Sequence, residues 1–176
     1  MIKSICKTAS SLSVTTVIVA SALLVASPVW AQQKAATTAK QLVGHWTLVS
    51  VKNEQDGKTT EPLGRNPKGL FILDSSGRYA LMIFRPDIPK VASNNRNTAT
   101  AEENKAIVLG SLAHFGTYSV NEKDGTYSIR PEASTYPNWV GVEQIRSFSI
   151  SKDELKIINP SGSRGGTSTL IWKRAR

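Results

Sequence analysis

The chain has 176 residues, two histidines, one cysteine and a formal charge of +9. With the lone cysteine at Cys6 no disulfide framework is available, and two histidines are too few for a metal site without unusual carboxylate help. The basic residues are dispersed except in the terminal WKRAR, the pattern of a solvated surface and not of a nucleic-acid stripe.

The first 31 residues read as a secretory signal. Lys3 and Lys7 precede an uncharged apolar run at 11–27, and Val29 and Ala31 bracket Trp30 at a cleavage pattern. The rival is an uncleaved anchor, since the run is nearly long enough to span a bilayer. The polar segment after Ala31 favours cleavage, and the absence of a later cysteine argues against a lipid anchor. Cleavage leaves 145 residues, no cysteine and a charge of +7, enough chain for one packed domain. A cysteine-free exported domain points to a bacterial periplasm or to secretion. Residues 32–41 are expected to be a flexible leader before a domain at 42–176.

Alternation then dominates. Runs at 42–53, 68–73, 78–85, 115–122, 126–134, 139–150, 155–159 and 167–175 read as strands. Turn signals such as Asp56-Gly57, DSSG at 74–77 and KDG at 123–125 separate them. The longest irregular stretch, 86–100, holds two prolines and three asparagines. After it the period changes. Thr100 with Glu103 forms a capping-box pattern, and apolar residues at three- and four-residue spacing predict one short helix at about 101–112, between the third and fourth strands. Eight short sequential antiparallel strands fit a sandwich or an up-and-down barrel, and a barrel of eight can hold one small ligand.

The run at 139–150 raises the functional question. Val140, Val142, Gln144, Arg146, Phe148 and Ile150 share one face. An unpaired Arg is costly in a dry sandwich core but reasonable in a barrel lumen that holds water or ligand. Arg130 and Glu132 share a face of the preceding strand. They form either an outer ladder or, with Gln144 and Arg146, a polar lumen. The apolar company of Gln144 and Arg146 favours the lumen. Arg85 and Asp87 either pair with each other or place a guanidinium at the barrel mouth. Asn138 and Trp139 are either turn chemistry or a rim.

Several stretches together resemble a known family. Gly44-x-Trp46 opens the first strand, and Lys173 or Arg174 stands on the last. Residues 62–90, 114–129 and 136–150 follow in order, with Arg85-Pro86-Asp87 and PNWVGVEQIR among them. The set is similar to the bacterial lipocalin-like domain family over nearly all of 42–174. The resemblance implies an all-β, eight-stranded calycin-type barrel with a small-molecule cavity, in which Gly44, Trp46 and Arg174 are a structural signature. It names no ligand.

The sequence therefore favours an exported binder of a small, largely apolar or amphipathic ligand with a polar or acidic group. Its candidate contacts are Arg85, Tyr118, Glu132, Asn138, Trp139, Gln144 and Arg146, with no cofactor or metal. The first alternative is an isomerase, cyclase or hydratase-type enzyme using His114, Glu132, Glu143 or Tyr118 as acid and base. His114, read at the junction of helix and strand, is more simply a local hydrogen-bonding residue. The second alternative is a non-catalytic protein whose basic surface meets anionic envelope components. No nucleophile elbow, phosphate loop or dinucleotide fingerprint appears.

Overall fold

In the computed structural model, which describes residues 39–175, the alternating runs become strands whose apolar sides share one interior. The strands are β1 (Gly44–Gln55), β2 (Lys58–Thr60), β3 (Lys68–Leu73), β4 (Arg78–Phe84), β5 (Ser111–Asn121), β6 (Thr126–Ser134), β7 (Gln144–Ser151), β8 (Glu154–Asn159) and β9 (Thr167–Arg174). Apart from β2, each pairs antiparallel with its neighbours in sequence, and β9 returns to β1 from Trp46↔Arg174 to Glu54↔Thr167. That pairing closes an eight-stranded barrel and leaves no open edge. β2 lies outside the ring and pairs only with the end of β1 at 53–55. The expected signal segment 1–31 and residues 32–38 lie outside the described residues. The leader expected over 32–41 ends differently: Ala39–Leu42 form a one-turn helix, α1, and Leu42 is fully buried.

Two bulges set the facing of the strands. In β1 the register shifts between Leu48 and Ser50, so Trp46 and Leu48 point inward, Val49 points out, and the inward parity resumes at Val51 and Asn53. In β6 the register shifts where Phe115 pairs Ala133 and Gly116 pairs Pro131. Pro131 has no N–H for the ladder, and the bulge accommodates it there. Glu132 is the extra residue and points to solvent.

The helix α2 (Ala101–Gly110) begins as its capping box dictates. Glu103 N–H donates to Thr100 Oγ1 at 3.2 Å, and Thr100 N–H donates to Glu103 Oε2 at 2.8 Å. Its end departs from the expected 112, because Ser111 already belongs to β5. Gly110 is needed for close packing, since a Cβ there would lie 2.7 Å from Ile88 Cγ1. The strand expected at 139–150 starts only at Gln144. Pro137–Trp139 form a 3-10 turn, and Gly141 at φ +74° turns the chain before pairing begins.

The barrel is solid at one end. Phe71 packs against Trp172 at a ring-centroid distance of 5.5 Å, and Tyr127 packs edge-on against Phe148 at 5.8 Å. Leu155 and Ile157 fill the space beside them. Burying this apolar surface is the main stabilising term, at roughly 25 cal/mol per Å². The remaining lumen lies toward the other end, where the loops 61–67, 85–110, 135–143 and 160–166 meet.

Candidate functional site

The solid end is sealed by the Gly-x-Trp residues. Trp46 is fully buried, and its Nε1–H donates to the Leu42 carbonyl of α1 at 2.9 Å. The Arg174 guanidinium stacks on the Trp46 ring at 4.1 Å and donates to the carbonyls of Val43 at 3.1 Å and Gln41 at 2.7 Å. Gly44 has φ +138°, and a Cβ there would sit 2.7 Å from Arg174 Nη1. Glycine, tryptophan and arginine thus form one plug. Lys173, the other basic candidate, is on the outward parity.

The open end holds a cavity of about 230 Å³. That is below the range of about 300–1,000 Å³ usual for drug-sized ligands, so it suits a small molecule or one end of a larger one. Most of its wall is apolar: Val51, Leu63, Leu81, Ile83, Leu112 and Leu170. Val108 and Leu109 of α2 cover part of the mouth, and the 160–166 loop covers another part through Gly162, Ser163 and Arg164. Arg164 reaches across to the Leu109 carbonyl, satisfying an acceptor at the end of α2. The loop 86–100 supplies no lining residue.

One side of the cavity is polar. Arg146, on β7, is only 3 % exposed, and its Nη2 donates to Gln144 Oε1 at 2.8 Å. Its guanidinium lies 5.4 Å from the Trp139 ring. No Asp or Glu pairs with it among the described residues, where the ion pairs are Arg78–Glu132 and Arg85–Asp87. Arg146 Nε, Gln144 Nε2 and His114 Nε2 are all buried without a hydrogen-bond partner, and Tyr127 Oη has only a contact with the Arg146 guanidinium that falls outside regular hydrogen-bond geometry. Each costs free energy unless something else supplies the partner.

His114 stands beside this group, 4 % exposed on the inward parity of β5. Its Nδ1 lies 2.9 Å from Tyr79 Oη, and its ring meets Trp139 edge-on at 5.5 Å. Burial, reinforced by the Arg146 charge, lowers its pKa to about 3, so the imidazole is neutral at physiological pH. Burial pushes the Tyr79 phenol well above its ordinary value. The Tyr127 hydroxyl is raised for the same reason, partly offset by Arg146.

The candidates from sequence divide accordingly. Arg146 and Trp139 line the cavity, and Gln144 supports Arg146 from the same face. Four others stand elsewhere. Glu132 is on the outer surface, half-exposed and ion-paired with Arg78, on the outward parity of β6 that it shares with Arg130. Arg85 is bound in a fork to Asp87, with Nε at 2.9 Å and Nη2 at 2.8 Å, and does not line the cavity. Tyr118 is directed to the opposite end, where its hydroxyl donates to the Asp74 carbonyl at 2.6 Å. Asn138 is exposed on the 3-10 turn. Glu143, an acid–base candidate, is exposed before β7. The interior therefore presents no carboxylate among the described residues.

Tyr79, Tyr127 and Arg164 carry no mark in the sequence that singles them out, and His114 reads there as a junction residue. The helical spacing runs on through Leu112 and Ala113, which also fit a strand, and this hides the start of β5. The signal that finds His114 is the alternation of His114, Gly116, Tyr118 and Val120.

The chain resembles a lipocalin-like protein from Bacteroides uniformis, at 16% identity, covering 76% of this chain and 98% of that one with a TM-score of 0.42. It also resembles the REP1-NXSQ fatty acid transporter, at 12% identity, 78% and 98% coverage and a TM-score of 0.37. A point mutant of the fluorescent protein UnaG matches at 12% identity, 78% and 99% coverage and a TM-score of 0.36. No curated protein matches the chain. Residues 43–175 match the lipocalin-like domain family, a span that includes every strand of the barrel. The closed eight-stranded ring, the plug of Gly44, Trp46 and Arg174, and this family match lead to one conclusion: the chain belongs to the lipocalin-like domain family.

Proposed function

We propose that this is an exported bacterial protein that holds a small, largely apolar molecule with an acidic group in the open end of its barrel. The observation that carries the reading is Arg146, a buried guanidinium at the cavity wall with no acidic partner. Isolating a cation from water is costly unless it is paired and hydrogen-bonded. A ligand carboxylate beside Arg146 supplies the missing charge, and its planar oxygens suit the guanidinium fork. The ring of Trp139 and the aliphatic wall accept the rest of the molecule. Export rests on the pattern of residues 1–31.

The test is a binding measurement on phenylbutyrate and its methyl ester. The acid is expected to bind at least about ten-fold tighter, the scale of one charge-assisted hydrogen bond. Arg146→Met is expected to remove the difference. Equal binding of acid and ester to the unaltered protein refutes the reading.

A second reading, acid–base catalysis, is favoured by the Tyr79–His114 contact, a titratable pair within hydrogen-bond reach of which His114 lines the cavity and Tyr79 stands behind it in the core. Against it, an imidazole whose pKa lies near 3 is a weak base at neutral pH. Binding is the better supported function.

A further inference from the structure

The polar wall of the cavity carries more information than its charge, because its hydrogen atoms can be counted. Arg146 Nε and Gln144 Nε2 can only donate. His114 can present either a donor or a lone pair at Nε2, and Tyr79 decides which. Tyr79 is buried, and His114 Nδ1 is its hydroxyl's hydrogen-bond partner. If Nδ1 carried the proton and donated to Tyr79 Oη, the phenolic proton would be left without an acceptor inside the protein. If Tyr79 donates to Nδ1, both groups are satisfied, and the neutral imidazole carries its one proton on Nε2. The Trp139 ring, perpendicular to the His114 imidazole and with the Arg146 guanidinium over its face, keeps the two in one corner of the cavity.

We propose that this corner recognises its ligand through donors alone: Arg146 takes an anionic oxygen, and the neutral His114 donates from Nε2 to a second, uncharged carbonyl oxygen. The ligand class is an apolar acid carrying a ketone or ester carbonyl near its carboxylate. An ammonium group at that place meets another donor and is disfavoured, and a hydroxyl can accept from Nε2–H but must then find an acceptor for its own proton. Tyr79 is a positioning residue that holds the imidazole in its donating tautomer. The inference rests on the reading above that the cavity takes an acid.

The experiment compares three probes: phenylbutyrate, its methyl ester, and benzoylpropionate, which adds a ketone to the same acid. Wild-type protein is expected to bind benzoylpropionate about three- to ten-fold tighter than phenylbutyrate, the scale of one neutral hydrogen bond. His114→Leu is expected to abolish that gap while keeping the preference for acid over ester, which belongs to Arg146. Tyr79→Phe, a milder change, is expected to narrow the gap by freeing the tautomer. Nitrogen-15 NMR of the ligand-free protein is expected to find the proton on Nε2 at neutral pH. Equal binding of the two acids, both tighter than the ester, overturns this inference and leaves the acid-binding reading standing. Loss of the acid–ester difference overturns the reading itself. A proton found on Nδ1, or no binding of any probe, also refutes the assignment.

Discussion

Lowering the pH from 6.0 to 4.5 tests the burial of His114 directly. The folded protein holds the imidazole neutral with a pKa of about 3, against 6.5 when it is unperturbed. Between those values the unfolded chain binds a proton that the folded chain does not. Stability therefore falls as pH falls, by about 1.4 kcal/mol per unit while the difference in protonation is complete. Over the roughly 1.5 units of this window the expected loss is about 2 kcal/mol. The lowered carboxylates Asp74, Asp87 and Glu103 contribute mainly below this window, because their ordinary values are 3.8, 3.8 and 4.5. The assay is urea unfolding at both pH values on wild type and His114→Gln. The variant is expected to lack most of the loss. Parallel losses in the two proteins would show that His114 protonates freely in the fold and would refute its burial. An NMR titration of the imidazole in folded wild type gives the same answer without a variant: a midpoint near the unperturbed 6.5 sinks the argument.

The plug predicts coupling. Gly44→Ala is expected to destabilise by about 1–3 kcal/mol from its positive φ, plus the displacement of Arg174 from Trp46. In an Arg174→Ala background the second part should vanish, and additive effects in chemical denaturation would refute the shared plug. Leu155→Ala, deep in the solid end, is expected to cost about 2–5 kcal/mol by denaturant unfolding. Glu132→Gln breaks only a half-exposed pair and is expected to change stability by less than about 1 kcal/mol and leave phenylbutyrate affinity unchanged. A large loss of affinity there would return Glu132 to the site. Arg164→Ala removes the bond across the mouth to Leu109 and is expected to speed ligand entry and exit together, measured by stopped-flow binding.

Much of the fold is legible in the sequence because strands and caps are local. The alternation of β3, β4 and β8 survives into the structure almost residue for residue, and the Thr100–Glu103 box sets the start of α2 to the residue. The site is legible in part. Arg146 stands out on its own strand, since Phe148 and Ile150 beside it fix the inward parity. Val140 and Val142, which share that alternation in the sequence, precede the strand and are exposed. Period alone does not say where pairing begins, and Gly141 and the 3-10 turn delay it to Gln144. Glu132 keeps the outward parity it shares with Arg130, because Tyr127, Ile129 and Pro131 take the inner face of β6; the shared face is legible in the sequence, but which side it takes is set by the closed barrel.

Most strands of the barrel, the all-β class, the helix start and the Gly-x-Trp signature are local, because each depends on neighbours within a few positions; the starts of β5 and β7 are not. Only the closed barrel shows that Arg146 meets no carboxylate among the described residues and that Tyr79, 35 residues from His114, holds its imidazole. Those facts depend on which strands lie side by side once the barrel closes, and on the bulges that set where their side chains point. They convert a strand with an odd arginine into a cavity wall that asks for an anion.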